Sequence, residues 1–278
     1  MRKNPITKGK GRVVFYHYFN PLIMKFVDTH CHLYAKEFEH DVAEVLKRSE
    51  ATGVEKFYLP AIDSSTLQAM LELEKKFPGK CIAMAGLHPC SVKENYKEEL
   101  HIIEALLEKR KFAAIGETGL DFYWDKSFEK DQYNAFHAQV EWALHYDLPI
   151  VIHSRQSMQE SISVVREHQK GELKGIFHCF SGTIESAEEI TGLGFYLGIG
   201  GVLTYKKSSL PEVLKKIDLG FIVLETDAPY LAPVPFRGKR NESSYLIHIA
   251  QKLAEVKGVS VEEIASVTTA NAQKIFGN

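Results

Sequence analysis

The sequence predicts an α/β fold, a (β/α)8 barrel of the TIM type, because short apolar runs alternate eight times with helical patterns. The runs are continuously apolar, as expected when both faces of a parallel sheet are covered. Strict alternation over about 250 residues fits such a barrel. An open doubly wound sheet is the alternative, although no GxGxxG motif follows the first strand.

The predicted strands are short, mostly apolar runs, and all except 56–61 lead directly into a polar residue or a glycine. The first begins at Phe26 and leads into a segment with polar side chains at every second position. The other predicted strands cover 56–61, 81–87, 112–116, 149–152, 175–177, 195–199 and 221–224.

The segments between the strands have apolar residues at helical spacing and recognisable ends. The first ends before Gly53, and the second begins at Ser64 or Ser65 and stops before Pro78 and Gly79. The predicted helices cover 35–52, 64–77, 97–111, 128–146, 158–169, 185–193, 210–217, 243–257 and 261–276.

The composition excludes several classes of protein. Hydrophobic residues make up 45% and charged residues 25%, and the net charge of −2 argues against coating nucleic acid or membranes through overall charge. Four cysteines without a CxxC pair predict reduced thiols in a cytoplasmic protein. No apolar run reaches the ~18 residues of a membrane-spanning helix. No obligate protein partner is indicated.

Residues 1–23 look foreign to the barrel. They begin with a basic, glycine-bearing stretch and continue with a short aromatic run, without the features of a secretory signal. Met24 directly precedes the first predicted strand. We therefore expect 1–23 to be a tail, either not native or disordered, and the barrel to occupy 24–278.

Polar residues lie at the C-terminal ends of five predicted strands, where barrel enzymes place their chemistry. His30 and His32 are two apart, so on a strand both imidazoles share one face and Cys31 points away. Any one of these residues could simply be capped or hydrogen-bonded, but so many at one end predict a metal site with nitrogen and oxygen ligands. The set is His30, His32, Glu117, His153, His178 and Asp227.

Six ligands are too many for one catalytic zinc, which usually keeps three protein ligands and a water. Two divalent ions, with Mg, Mn and Zn as the candidates, would use the whole set. Glu117 lies between the histidine groups along the chain and is the natural bridge. Two such ions can acidify a shared water and stabilise both oxygens of an in-line displacement.

Eight ordered motifs give the chain a resemblance to the TatD-type metal-dependent deoxyribonucleases of the amidohydrolase superfamily. They span about residues 25–277. The motifs are DTHCHL at 28–33, GLHP at 86–89, AIGETGLDFYW at 114–124, PIVIHSR at 149–155, HCFSG at 178–182, LETDAPYLAP at 224–233, RGKRNE at 237–242 and ASVTTANAQKIF at 265–276. Family members often read RNEP where this chain reads RNESS, a departure that touches no implied ligand.

The resemblance implies a division of the ligands between two ions. His30, His32 and Asp227 would hold one ion, His153 and His178 the other, and Glu117 would bridge them. Asp227 is also expected to take the proton from the attacking water, so Asp227 and Glu117 are the predicted catalytic residues.

Three further residues are expected to support the ligands through hydrogen bonds. Asp121 either orients a histidine or shapes its turn. Glu225 either orients ligands or forms a buried pair with Arg155. His88 ends the third strand and can be counted as a seventh ligand, but its GLHP context favours a supporting role. Cys179, like Cys31, is expected to point away from the metals.

Substrate contacts are expected at the mouth of the barrel. Arg155 presents a guanidinium fork suited to phosphate, with a structural salt bridge as the alternative. Arg237, Lys239 and Arg240 form a dense basic cluster that either grips a phosphate backbone or is a solvated loop. Tyr123, between Phe122 and Trp124, is expected to stack on an unpaired base or to pack within its loop.

The site and the resemblance together predict hydrolysis of DNA phosphodiester bonds by a metal-bound hydroxide. The expected enzyme is an exonuclease acting on single strands or ends. Another hydrolase of the superfamily, acting on a small ester, lactone or phosphoester, is the alternative, since fold and metals do not determine the substrate. A binding protein with a relic barrel is a second alternative, against which the complete ligand set argues.

Overall fold

The computed structural model describes residues 24–277, and the tail predicted for 1–23 lies outside them. Eight strands are present, and every neighbouring pair runs parallel. They are β1 (Phe26–Asp28), β2 (Val54–Leu59), β3 (Cys81–Ala83), β4 (Ile115–Asp121), β5 (Ile150–Arg155), β6 (Gly175–Phe177), β7 (Tyr196–Ile199) and β8 (Ile222–Leu224).

The strands follow one another around a barrel in chain order. Strands β1–β3 form one hydrogen-bonded run and β4–β8 another. Ala85 joins the runs, because its carbonyl accepts the N–H of Gly116 at 2.8 Å and its own N–H donates to Ala114 at 3.1 Å. On the other side, the N–H of Thr29 donates to the Leu224 carbonyl at 3.1 Å. The predicted TIM-type barrel is therefore confirmed over the open sheet.

Helices connect the strands and cover the outside of the barrel. The second begins after Asp63, whose carboxylate accepts the N–H of Ser65 at 3.0 Å, so the cap lies one or two residues earlier than predicted. Among residues 24–277, no helix has both the length and the apolar character needed to cross a bilayer. The helices are α1 (Val42–Ala51), α2 (Ser64–Lys76), α3 (Tyr96–Leu107), α4 (Glu129–His145), α5 (Met158–His168), α6 (Ile184–Gly192), α7 (Leu210–Leu214), α8 (Leu246–Lys257) and α9 (Val261–Phe276).

Strand β4 begins and ends later than the sequence predicts, so that Glu117 lies within the strand rather than after it. The sequence prediction stops at 116 because the continuous apolar run ends there. Gly119 permits a close approach to β5, because a Cβ atom there would lie 2.1 Å from the His153 carbonyl oxygen. Its φ of 133° also disfavours other residues. The glycine therefore brings β4 and its carboxylate against β5.

The floor of the barrel is an apolar cluster directly beneath the polar strand ends. Val151, Ile176 and Val223 are buried in it. Each lies two residues before one of the polar residues at the strand ends, which are His153, His178 and Glu225. From α9, Ile275 packs against the cluster and Phe276 stacks on Tyr58 with 3.8 Å between ring centroids. The ionisable groups above thus rest on a buried, packed apolar base.

Candidate metal centre

Glu117 lies at the centre of five imidazoles. Its Oε2 atom is 3.2 Å from Nε2 of His30 and 3.7 Å from Nε2 of His32. Its Oε1 atom faces three further nitrogens, at 3.3 Å in His88, 2.9 Å in His153 and 3.1 Å in His178. The two carboxylate oxygens therefore face two separate groups of histidines, as a bridging ligand would.

Asp227 lies beside the first of these groups. Its Oδ1 atom is 3.6 Å from His32 Nε2 and 3.8 Å from His30 Nε2, and the two Nε2 atoms are 3.3 Å apart. Asp227 has a φ of 55°, a conformation that Asp tolerates better than most residues, and its N–H donates to the His30 carbonyl at 2.9 Å. The backbone thus ties this carboxylate to the segment that carries both imidazoles.

Strand β1 ends at Asp28, so His30 and His32 follow the strand instead of lying on it. Their imidazoles nevertheless converge, and Cys31 is fully buried in the hydrophobic core, as expected. Cys179 differs from the prediction, because β6 ends at Phe177 and strand alternation does not extend to it. It lines the cavity above the site instead.

Hydrogen bonds set the tautomers of four imidazoles. Tyr34 donates its hydroxyl hydrogen to the Pro60 carbonyl at 2.5 Å, so it accepts from Nδ1 of His32 at 2.9 Å. The lone pair of His32 Nε2 therefore points at the centre. His88 has the opposite tautomer, because its Nδ1 accepts the N–H of Cys90 at 3.0 Å. A neutral His88 would therefore carry its proton on Nε2, which faces Glu117, as expected of a supporting residue.

Two carboxylates orient the remaining histidines in the same way. Oδ2 of Asp121 lies 2.9 Å from Nε2 of His153, which leaves His153 Nδ1 facing Glu117. Oε1 of Glu225 lies 3.2 Å from Nδ1 of His178, which leaves His178 Nε2 facing Glu117. Asp121 and Glu225 therefore each contact a histidine, and Glu225 pairs with His178 rather than with Arg155.

The residues fit divalent cations. Three groups of side chains hold their donor atoms within 4.8 Å of one another. The first coincides with the predicted ligands of one ion. Burial and the neighbouring His178 lower the pKa of His30, which favours the neutral, metal-ligating form, and its buried Nδ1 has no hydrogen-bond partner in residues 24–277. The groups are His30, His32 and Asp227; His30, His178 and Glu225; and His88, Glu117 and His153.

The buried carboxylates and imidazoles of the centre shift one another's pKa values. Burial favours a neutral Glu117, but electrostatic interactions with His88, His178 and His30 outweigh burial and hold the pKa of Glu117 well below its usual value. Burial likewise opposes protonation of His178, but the carboxylates of Glu117 and Glu225 raise the His178 pKa well above its usual value. A buried carboxylate that remains ionised is available as a bridging ligand.

Two buried residues that the sequence did not single out position this centre. Asp28 accepts the N–H of Thr226 at 2.9 Å and its hydroxyl at 2.6 Å, linking β1 to the segment before Asp227. The side-chain amide of Asn241 donates to the carbonyls of Thr226 and Tyr230, both at 2.7 Å. The spacing of Asp28 before His30 and the RGKRNE motif were the available signals.

A cavity of 640 Å³ opens above the centre. Arg155 and Trp124 line it, and the Arg155 guanidinium lies 3.9 Å from the centroid of the Tyr123 ring and 5.1 Å from that of Trp124. Of the six exposed large apolar residues within 24–277, five lie on the loops after β4 and β8. Three of the five, Tyr123, Trp124 and Tyr230, are aromatic, and we call them the aromatic rim. The other two are Leu231 and Val234.

The three predicted cations after β8 have different surroundings. Arg240 is bound by both oxygens of Asp41, at 2.8 and 2.6 Å, so its guanidinium already has a carboxylate partner. Lys239 extends over the ring of Phe236 at 5.9 Å. Arg237 lines a second cavity next to the main one. Of the three, Arg237 has the position best suited to a substrate.

The barrel and this set of donors define a metal-dependent hydrolase. The chain belongs to the family described as TatD related DNase, whose model matches residues 27–277.

Individual relatives agree with this family. The chain is 39% identical over 250 residues to the uncharacterised metal-dependent hydrolase YabD of Bacillus subtilis, covering 90% of this chain and 98% of the relative. It is 31% identical over 255 residues to a protein of Erwinia tasmaniensis named 3'-5' ssDNA/RNA exonuclease TatD, covering 90% and 98%. The crystal structure of the TatD homologue YjjV from Escherichia coli superimposes with a TM-score of 0.87 at 30% identity, covering 92% and 99%.

Proposed function

We propose that this hydrolase cleaves phosphodiester bonds of single-stranded DNA, acting from a strand end with two divalent ions. The observation that carries the proposal is the placement of Glu117 between two histidine groups, beneath a cavity rimmed by exposed aromatic side chains. A bridged pair of ions suits a phosphoryl centre, and aromatic faces suit unpaired bases.

In this proposal the ligands form two groups, one facing each carboxylate oxygen of Glu117. His30, His32 and Asp227 would hold one ion, and His153 with His178 the other. Bound there, the ions would acidify a water and neutralise charge that develops on the phosphate oxygens. His88 would hold Glu117 in place by donating Nε2–H to its Oε1 atom.

Asp227 is the proposed proton acceptor. Burial raises its pKa, but His32, His178 and His30 outweigh burial and keep it below the usual value, so the carboxylate is ionised and ready to accept a proton. Its side chain is 14% exposed, while that of Glu117 is 2% exposed. Asp227 is therefore the carboxylate that an entering water reaches.

The aromatic rim favours a single strand over a duplex. Trp124 is 68% exposed and Tyr230 is 50% exposed, and both line the main cavity. They follow β4 and β8, which lie on opposite sides of an eight-stranded barrel. Bases can stack on such rings only when they are unpaired. Arg155, held against the rim, is placed to bind a phosphate with its guanidinium fork.

The name of the Erwinia tasmaniensis relative supports a nucleic-acid substrate, and the family description agrees.

The decisive experiment incubates the purified chain with Mg²⁺, Mn²⁺ or Zn²⁺ and end-labelled single-stranded DNA, RNA and duplex DNA. A parallel panel contains lactones, carboxylic esters and bis(4-nitrophenyl) phosphate. We expect progressive shortening of the single strand that requires metal and is lost in Asp227→Asn. Turnover of a lactone or ester without any DNA cleavage would favour the small-substrate alternative and overturn the proposal.

A further inference from the structure

A second cavity, of 390 Å³, adjoins the main cavity on the side of β7 and β8. Val202 lines both cavities, so they meet at this residue. The lining of the second cavity includes three cationic side chains and no acidic one. We call it the Lys206–Arg237 cavity, and it is lined by Val202, Tyr205, Lys206, Lys207, Ser208 and Arg237.

The three cations of the Lys206–Arg237 cavity lack acidic partners. Within residues 24–277, no carboxylate lies within 4.0 Å of the charged nitrogens of Lys206, Lys207 or Arg237. Arg48 and Arg240, by contrast, are held by carboxylates at 2.7 and 2.6 Å. Like charges gathered without counterions repel one another, and an anionic ligand would relieve that repulsion.

The cavity is built on a fixed frame. The hydroxyl of Tyr205 donates to the Ala232 carbonyl at 3.1 Å, and the N–H of Val234 donates to Thr204 Oγ1 at 2.9 Å. These bonds join the segment after β7 to the loop after β8. The Arg237 guanidinium lies 4.5 Å from the centroid of the Tyr205 ring, which supports it from one side.

The donors suit the oxygens of a phosphate group. Arg237 offers a planar fork of N–H donors, and Lys206 and Lys207 offer ammonium groups. Oγ of Ser208 accepts the N–H of Leu210 at 3.3 Å, so its own hydroxyl hydrogen can be donated elsewhere. A guanidinium, two ammonium groups and a hydroxyl in one concavity form a set of charge-assisted donors.

We propose that the Lys206–Arg237 cavity binds a backbone phosphate of the substrate strand, next to the phosphate that is cleaved. The inference rests on the proposed nuclease function and adds a second anion subsite to it. The cavity lies on the β7 and β8 side, while Trp124 and Arg155 follow β4 and β5. A strand held at both places crosses the mouth over the metal centre.

The test measures salt dependence of binding. Lys206→Gln/Lys207→Gln is made in the Asp227→Asn protein, and binding of a fluorescein-labelled oligothymidylate is followed by anisotropy across a KCl series. The slope of log K against log salt is negative, and each lost contact to a single strand should reduce its magnitude by about 0.7, or by about 1.4 for two contacts. Lys109→Gln/Lys111→Gln, just before β4 at the opposite face, is the matched control and should keep the parent slope.

A conservative replacement of the same two lysines provides a second comparison in this binding experiment. Lys206→Arg/Lys207→Arg keeps both charges and should restore the slope of the parent protein. Equal slopes in the glutamine pair and the control pair would overturn the subsite, provided that the wild-type protein cleaves the oligonucleotide. If the wild-type protein hydrolyses bis(4-nitrophenyl) phosphate but neither binds nor cleaves the oligonucleotide, the nuclease proposal fails and the subsite fails with it.

Discussion

Oε1 of Glu225 lies 3.2 Å from Nδ1 of His178, on the side of the imidazole that faces away from Glu117. The same oxygen accepts the N–H of Cys179 at 2.6 Å, so the carboxylate is held by the backbone that follows the histidine. Outer partners of this kind orient a ligand histidine and raise its basicity. We therefore expect Glu225 to influence metal binding through its hydrogen bond to His178.

We expect Glu225→Gln to weaken metal binding by about 10–100-fold, because a neutral amide supports the imidazole less well than a carboxylate. Competition with a chromophoric chelator measures the affinity directly. Glu188→Gln, on the exposed face of α6, is the control and should bind metal like the wild type. An unchanged metal affinity in Glu225→Gln would show that Glu225 does not support metal binding.

Gly198 provides the space that Glu225 occupies. A Cβ atom at this position would lie 2.2 Å from Glu225 Oε2 and 3.1 Å from the Cα atom of His178. We expect Gly198→Ala to destabilise the fold by about 1–3 kcal/mol through overpacking, and to reduce metal affinity by displacing Glu225.

Thermal and urea unfolding, together with the chelator assay, check this prediction. Gly192→Ala is a matched control, because a Cβ atom at Gly192 in α6 meets nothing within 4 Å. It should leave stability unchanged or raise it by about 0.4–1 kcal/mol. If both alanine variants behave alike, close packing at Gly198 has no role in placing Glu225.

The fold and the convergence of the six predicted ligands could be anticipated, because strand ends in a barrel bring distant residues together whatever the local detail. His30 and Asp227 are almost two hundred positions apart, yet the alternation of strands and helices places both at one mouth. The end of β4 was harder to assign, because the apolar run stops at Gly116 while close packing of Gly119 against β5 extends the strand to Asp121.

Which partner a side chain takes could not be anticipated. Arg240 belongs to an RGKR cluster that suggests phosphate binding, and its pairing with Asp41 depends on α1 packing nearby. The tautomer of His88 depends on a single backbone N–H, that of Cys90. Such hydrogen bonds follow from three-dimensional placement within a few tenths of an ångström, which no spacing rule conveys.

The pair between Arg48 and Glu242 fastens α1 to the segment that precedes α8. Two hydrogen bonds, at 2.9 and 2.7 Å, connect them, and the Glu242 side chain is only 7% exposed. We expect Arg48→Met to destabilise the protein by about 1–3 kcal/mol at neutral pH, because it leaves a buried carboxylate without its main partner.

The loss should depend on pH. Burial raises the pKa of Glu242, but the bonds from Arg48 and Ser244 outweigh it, so the folded pKa lies below the usual 4.5. A carboxylate with a lowered pKa stabilises the fold above its unfolded pKa, and this contribution disappears as pH falls through the folded pKa.

Urea unfolding should therefore show a difference between wild type and Arg48→Met that is largest at neutral pH and shrinks below about pH 4.5. A difference that is constant across pH would contradict this assignment. Lys215→Met, which removes an exposed pair with Glu212, is the control and should show little change at any pH.

Trp124 provides the sharpest test of the aromatic rim. Stacking of one base on an aromatic ring contributes about 1–3 kcal/mol, so Trp124→Ala should weaken binding of single-stranded DNA by about 5–150-fold. Hydrolysis of bis(4-nitrophenyl) phosphate, which has no base, should fall far less. Trp124→Phe keeps an aromatic ring and should recover most of the affinity. Ile102→Ala removes the exposed apolar residue that lies on α3, away from the mouth, and should bind DNA like the wild type. Equal DNA binding by Trp124→Ala and Ile102→Ala would show that the exposed ring does not contact the substrate.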